Sequence, residues 1–506
     1  MTSHLLRWIK HSLPRSHLVT GLNRMTLAYL GLPVVLWVWG WLAWPWATLL
    51  SVCIIAAFVG GIRPIGRVQE EWRRRQELSA QLPLWVVLVI VAIGCLWSLY
   101  SGAGGFVYQN PDWDKHSAVL KDLIEAPWPV AYRLEGGDIP LVYYLAYYLP
   151  AALVGKFMGW WWANVALLAW TALGVCLALH WFVVLVQKRP VLSALIFVFA
   201  NGLDFLGQRI VSGTPLPPSA EHIDWWSGWL FLSFPGHLSQ LAWAPQHSIA
   251  AWLVIGSMAV QLPRQEGLNR LGLPGAFAAF WSPFTVVGLA PFVLLAVVFK
   301  RGRGALHWMN LTAVPVLLAA ILYYGSSTAS PPRAWLWDAV NLREDGIRFI
   351  LFHLLEWGIF YFFARELRSA GDRWLRLLFW CLPAILIASS LYRFGIFNDS
   401  CMRFPIPALF LLWVGVTRSV TAHPGQLESR ILALLLVFGA MGSLPELLRA
   451  WRTPSLNIEG ESVRVHVPHL DGGIFEQYLG SKESFFFHHL ARNSEGLPIP
   501  STPAAP

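Results

Sequence analysis

Charge is scarce in this chain: Asp, Glu, Lys and Arg make up 13% of its 506 residues, against 56% hydrophobic residues and a mean hydropathy of +0.51. Soluble globular domains carry about 25% charged residues, so the deficit excludes that class and leaves a polytopic membrane protein. Cysteine is also sparse. Of the five, Cys53, Cys95, Cys176 and Cys381 fall inside or at the ends of apolar runs, where they act as small hydrophobes, and none of them, nor Cys401, has metal-ligand spacing or implies a disulfide framework. Residues 1–24 are polar and basic and lack a short apolar core before a small-residue cleavage site, so no cleavable signal peptide is expected. The net charge of +9 comes from Arg and Lys gathered in short clusters between apolar runs, as juxtamembrane anchors are, which argues against nucleic acid as a partner. No internal repeat of the kind found in inverted-repeat transporters stands out.

What is abundant is tryptophan, 30 residues of it, and long apolar runs. Runs at 26–44 and 46–62 flank Trp44-Pro45-Trp46, which reads as a hairpin with interfacial aromatics. Arg63, Arg67, Arg73, Arg74 and Arg75 then outweigh Glu70, Glu71 and Glu77, which puts that loop on the cytoplasmic side and sends the next run, 84–101, outward. Residues 139–158 look like another crossing, but a crossing there would put Gln187-Lys188-Arg189 outside. They read instead as an outer juxtamembrane helix, with Tyr143, Tyr144, Tyr147 and Tyr148 in the headgroup zone.

Further runs fall at 161–186, 191–208, 245–262, 271–282, 284–299, 307–324, 347–364, 375–392, 404–420 and 431–449, the pair at 271–299 broken by Trp281-Ser282-Pro283. The expected fold is all-α: a transmembrane bundle over residues 1–450 with about 13 spans by length and charge, the N-terminus inside and the C-terminus outside. Three outer segments are long enough to build a site: 102–160, 209–244 (rich in Trp and Pro, with Glu221, His222, Asp224, Trp225 and Trp226) and the stretch after 450. The tail 451–506 is too short for a substantial catalytic domain, and its Pro-rich end is expected to be disordered.

Candidate chemistry concentrates in Asn110-Pro111-Asp112-Trp113-Asp114-Lys115-His116, just past the run at 84–101. Asp112 fits the N-cap of a short outer helix, with His116 over the same face. A cap leaves Asp114, Lys115 and His116 unexplained, and a carboxylate at a membrane boundary is well placed to act as a general base. Asp204, near the end of the run 191–208, and Arg209 beyond it form either a site or a buried ion pair. His353 and Glu356 suit a structural interhelical bond. Arg393 and Arg403 bracket a polar turn with Asn398 and Asp399, the arrangement a lipid phosphate needs for bidentate capture, and Arg403 is the preferred ligand over a snorkelling anchor paired with Asp399. His247, after Pro245-Gln246, reads as a helix-end hydrogen bonder. With Asp112, Asp114 and His116 it leaves a divalent metal open, without diagnostic spacing.

An acidic cluster opening a short outer helix, then Ile139-Pro140-Leu141-Val142-Tyr143-Tyr144 with Gly155-Lys156, then a span closing on Lys188-Arg189, resembles the GT-C superfamily of integral-membrane glycosyltransferases, most like protein O-mannosyltransferases and the aminoarabinose transferases of lipid A. The pattern covers mainly residues 84–210. It departs from those families in having acids two apart rather than adjacent, an extra preceding hairpin and no sizeable external domain. The resemblance implies transfer of a sugar from a polyprenyl-phosphate carrier to an acceptor glycan, lipid or protein on the outer (periplasmic) face of a bacterial inner (plasma) membrane. Asp112, or Asp114, would be the base, His116 would orient it, and Arg403 with Arg393 or Lys115 would hold the phosphate, with Asp204 lining the acceptor pocket. Two other classes stay open: a transporter or lipid-linked sugar flippase using Asp204, Glu356 and Arg209 as coupling charges, and an oligosaccharide polymerase or ligase.

Overall fold

The computed structural model describes residues 12–62, 81–134, 137–212, 231–263, 267–339, 341–366, 368, 373–452, 465–470, 474–493 and 495–499. The basic loop 63–80 and the Glu221-to-Trp226 stretch lie outside the described residues. The chain is a mostly helical, multi-pass bundle. Eight helices are long and apolar enough to cross a membrane, and Leu84–Tyr100, Pro283–Phe299 and Trp308–Tyr324 are shorter apolar helices.

Helix α1 (Arg15–Trp41) and helix α2 (Trp44–Ile62) form the expected hairpin. The reversal falls at Leu42 and Ala43, just before the Trp-Pro-Trp signal, because proline is tolerated in a helix's first turn. Leu50, Ile54 and Ala57 of α2 are buried against α1, while Leu49, Val52, Ile55 and Val59 are exposed. A helix apolar on every face is stable there only if its outer stripe meets lipid. Strand β1 (Ser12–Pro14) pairs antiparallel with β2 (Gln81–Pro83), which ties the start of α1 to that of α3 (Leu84–Tyr100).

Past α3, Gly102 takes φ +87° with its Cα side facing the indole of Trp113, where a Cβ would come within 3.0 Å of Nε1. Only glycine fits that turn, and it delivers the chain to α4 (Asp112–Glu125). Strands β3 (Ala131–Leu134) and β4 (Gly137–Pro140) follow as a hairpin, then α5 (Leu149–Met158) and the central helix α6 (Trp160–Val186), buried without interruption from Gly174 to Val186. Glycines set its close contacts: a Cβ on Gly94 of α3 would lie 2.6 Å from the Cys176 sulfur, and small residues are what let membrane helices approach.

The chain continues through α7 (His237–Trp243), α8 (Pro245–Gln261), α9 (Gly272–Trp281) and α10 (Pro283–Phe299). The break expected at Trp281-Ser282-Pro283 is present, and Ser282 caps α10 by accepting the Thr285 N–H at 3.1 Å. Strands β5 (Arg333–Trp335) and β6 (Tyr392–Phe394) pair antiparallel, and β6 leads to α11 (Asp399–Arg403), α12 (Ile406–Ala422) and α13 (Leu427–Arg452).

One expectation is corrected here. Only Leu149–Met158 of the stretch 139–158 is helical, and its tyrosines are not a headgroup-facing row: Tyr143, Tyr147 and Tyr148 are buried and Tyr144 is half-buried. The segment 141–148 is irregular backbone inside protein, which requires its polar groups to be matched. The Tyr323 hydroxyl does this, accepting the Tyr143 N–H at 3.1 Å and approaching the carbonyls of Leu141 and Tyr143 at 3.1 and 3.2 Å.

The tail packs back onto the bundle. Strand β7 (Leu497–Pro498) adds to β3 in parallel, Leu479 bridges to Leu141, Gly480 to Ser327, and Phe486 is fully buried. Of the Pro-rich end, Leu497 and Pro498 form that strand, and residues 500–506 lie outside the described residues. Asp122 of α4 anchors the tail. This fully buried carboxylate accepts the Val467 N–H at 2.9 Å, the Tyr132 hydroxyl at 2.7 Å and a bond from His466 Nδ1 at 2.5 Å. Three donors offset the cost of burying it.

Candidate functional site

The N-terminus of α4 is held by Asn110. Its side-chain oxygen accepts the Asp112 N–H at 3.0 Å, its amide donates to the Ala242 carbonyl at 2.9 Å, and the Trp113 indole donates to that same carbonyl at 3.0 Å. Asp112 therefore stands in the first turn and makes no cap bond, contrary to the N-cap reading, because Asn110 already does that work. Its carboxylate is left to Lys115, 2.9 Å away, with 35% of the side chain exposed. Burial pushes the Asp112 carboxyl up, but the charge and hydrogen bond of Lys115, with the charge of Arg403, outweigh it and hold the group below its ordinary range. Asp114, two residues on, is exposed.

His116 is buried with both ring nitrogens engaged, Nδ1 with the Tyr148 hydroxyl and Nε2 with the Trp243 carbonyl at 3.1 Å. A carbonyl only accepts, so Nε2 carries the proton and Tyr148 donates to Nδ1. Burial, reinforced by the Lys115 charge, lowers the imidazole pKa to about 3, so the ring is neutral. It braces the α4–α7 junction and has no nitrogen left to polarise Asp112. Trp243 is fixed in turn by Glu446 of α13, which accepts its indole N–H at 2.9 Å and pairs with Arg449 at 3.0 Å.

Arg403 arrives from the opposite end of the sequence. Its Nη1 lies 2.8 Å from Asp399 and its guanidinium carbon 5.1 Å from the centre of the Phe284 ring, with 15% of the side chain exposed. Its charge acts on Asp112, Tyr143, Tyr144 and Tyr478, and Tyr478 packs edge-on against Tyr143 at 4.8 Å. Burial raises the pKa of all three phenols, which keeps them neutral. Fully buried His247 joins this wall, its Nδ1 2.6 Å from Ser282 Oγ and its ring edge-on to Tyr144 and Phe284.

The site therefore gathers Asp112, Lys115, His116, Asp399, Arg403 and His247. Other sequence candidates lie apart from it. Arg393 donates to the Ile396 carbonyl at 2.8 Å and covers the Phe231 ring, so it braces its own turn. Asp204 is buried beside Asn201 and the backbone N–H of Phe205, against Gly442 of α13, and Arg209 is exposed. His353 makes the expected interhelical bond, 3.0 Å to Ser390, and Glu356 sits in a π-helical turn, Leu354–Gly358, against Gly202. Among the described residues no group of three or more His, Cys, Asp or Glu side chains could hold a metal ion, and both His116 nitrogens are committed, so the residues present do not fit the divalent-metal option.

Tyr148, Tyr478, Ser282 and Trp243 were missed as site residues. The Tyr pairs carried the only available signal, since four phenols in six residues exceed what anchoring needs. No protein-family model, curated protein or solved structure matches the chain.

Proposed function

We propose that the chain is a GT-C-type glycosyltransferase that moves a sugar from a polyprenyl-phosphate carrier to an acceptor hydroxyl on the outer face of a bacterial inner membrane, through a bundle of about 13 crossings by length and charge with the N-terminus inside. The observation that carries this reading is a partly exposed carboxylate, Asp112, within the electrostatic reach of a mostly buried guanidinium, Arg403, inside a wall of neutral phenols. Asp112 takes the acceptor proton as the hydroxyl oxygen bonds to the anomeric carbon. The anomeric C–O bond to phosphate breaks, and its electron pair leaves with the polyprenyl phosphate. Lys115 and Arg403 meet that developing charge, and His116 holds α4 in register. Phosphate on Lys115 and Arg403 also relieves the pull that keeps Asp112 acidic, so donor binding makes it a stronger base.

A membrane preparation containing the chain, given labelled polyprenyl-phosphate sugar, tests this with Asp112→Asn and Arg403→Ala beside the parent. Loss of transfer in both is expected; transfer at the parent rate in both removes the site. Burial of the Asp204 and Glu356 side chains within the bundle favours a second reading, a transporter or flippase, for which substitutions there and not at Asp112 abolish activity.

A further inference from the structure

Apart from the Asp112 site, an open groove of about 540 Å³ runs between α1, α5 and the loop after α4. Its lining is apolar along Val35, Leu36 and Leu153, aromatic at Trp39 and Trp128, and carries two cations, Lys156 and Arg492, with no carboxylate. That volume falls within the range of roughly 300–1,000 Å³ usual for small-ligand sites. Lys156 donates to the carbonyls of Ala126 at 2.6 Å and Ile124 at 3.1 Å and lies 5.3 Å from the centre of the Trp128 ring. An ammonium has three N–H donors, so one remains for a ligand. Arg492 Nη1 donates to the Trp39 carbonyl at 3.4 Å, and the guanidinium carries further donors.

Charge of one sign at the top of an apolar wall suits an amphipathic anion. Trp39 lies in the last turn of a membrane-length helix and is 51% exposed, as a tryptophan at the hydrocarbon boundary is. Val35 and Leu36 continue down α1, toward the depth at which acyl chains begin. We propose that this groove holds one anionic phospholipid, its phosphate between Lys156 and Arg492 and the start of an acyl chain along Val35 and Leu36. The apolar continuation of the wall selects a lipid over a soluble phosphate. This inference stands independently of sugar transfer.

Native mass spectrometry of the purified, delipidated full chain tests it, with phosphatidylglycerol, phosphatidylcholine and glycerol 3-phosphate titrated separately. One phosphatidylglycerol is expected to bind in preference to phosphatidylcholine, and Arg492→Gln to weaken it roughly fivefold. Lys156 also closes the end of α4, so the exposed Arg492 separates lipid capture from folding. Equal binding of both lipids, or an unchanged Arg492→Gln protein, overturns the proposal. Glycerol 3-phosphate binding as tightly as the lipid assigns the groove to a soluble phosphate and overturns it too.

Discussion

Lys115 Nζ lies 2.9 Å from Asp112 Oδ2, one turn along α4, so the candidate base and a candidate phosphate ligand neutralise each other until a donor arrives. Because the Asp112 carboxyl is held low, its base form persists above that depressed value and is lost only as pH falls through it. The acid limb of kcat/KM should therefore lie below the ordinary carboxylate pKa. Lys115→Met removes the largest of the lowering influences and should move that limb to higher pH, with transfer reduced on the order of 10²-fold. A limb that stays in place separates Asp112 from the observed rate.

His116 gives a second pH signature. Its folded pKa is about 3, and its unfolded value is about 6.5. Between these the unfolded chain binds the extra proton, so stability falls as pH drops through that window, by at most about 1.4 kcal/mol per unit. Thermal unfolding in detergent across pH 4–7 should show the slope in the parent and a flatter one in His116→Gln.

Tyr148→Phe removes the donor to His116 Nδ1 and leaves a buried acceptor unmatched, at a cost of about 1–3 kcal/mol. The same unfolding assay reads it as a lowered midpoint. Tyr147→Phe, which loses a 2.7 Å bond to Thr171, should spare transfer, because that hydroxyl faces α6.

Asp122→Asn weakens the anchor of the tail at His466 and Val467. Limited proteolysis should then cut around Val467 faster than in the parent, and transfer should fall if Tyr478 loses its place beside Tyr143. Asp204→Asn should leave transfer near the parent rate; a severe loss there would place Asp204 in the acceptor pocket instead.

The membrane class, the α1–α2 hairpin, the break at Ser282 and the helix opening at Asp112 were legible because each has a local cause: hydropathy, a proline or an acid-rich first turn. The roles around them were not local. Whether Asp112 caps depended on Asn110, whose amide is spoken for by a carbonyl of α7. The tyrosines at 143–148 have the spacing of an interfacial helix, and partners far away in sequence, the Tyr323 hydroxyl and the carbonyls of Phe280 and Tyr478 among them, satisfy the irregular buried backbone there. Tyr478 sat in a tail whose composition promised little, and its place beside Tyr143 rests on a long-range partner, the Val142 N–H that its carbonyl accepts at 2.8 Å.

The central claim is that Asp112 and Arg403 serve one site. A double-mutant cycle on kcat/KM for sugar transfer, with Asp112→Asn, Arg403→Lys and the pair, measures this directly. Residues sharing one site should couple by about 0.5–3 kcal/mol, with the double variant little worse than the poorer single. Losses that simply multiply would put the two side chains in separate sites and contradict it.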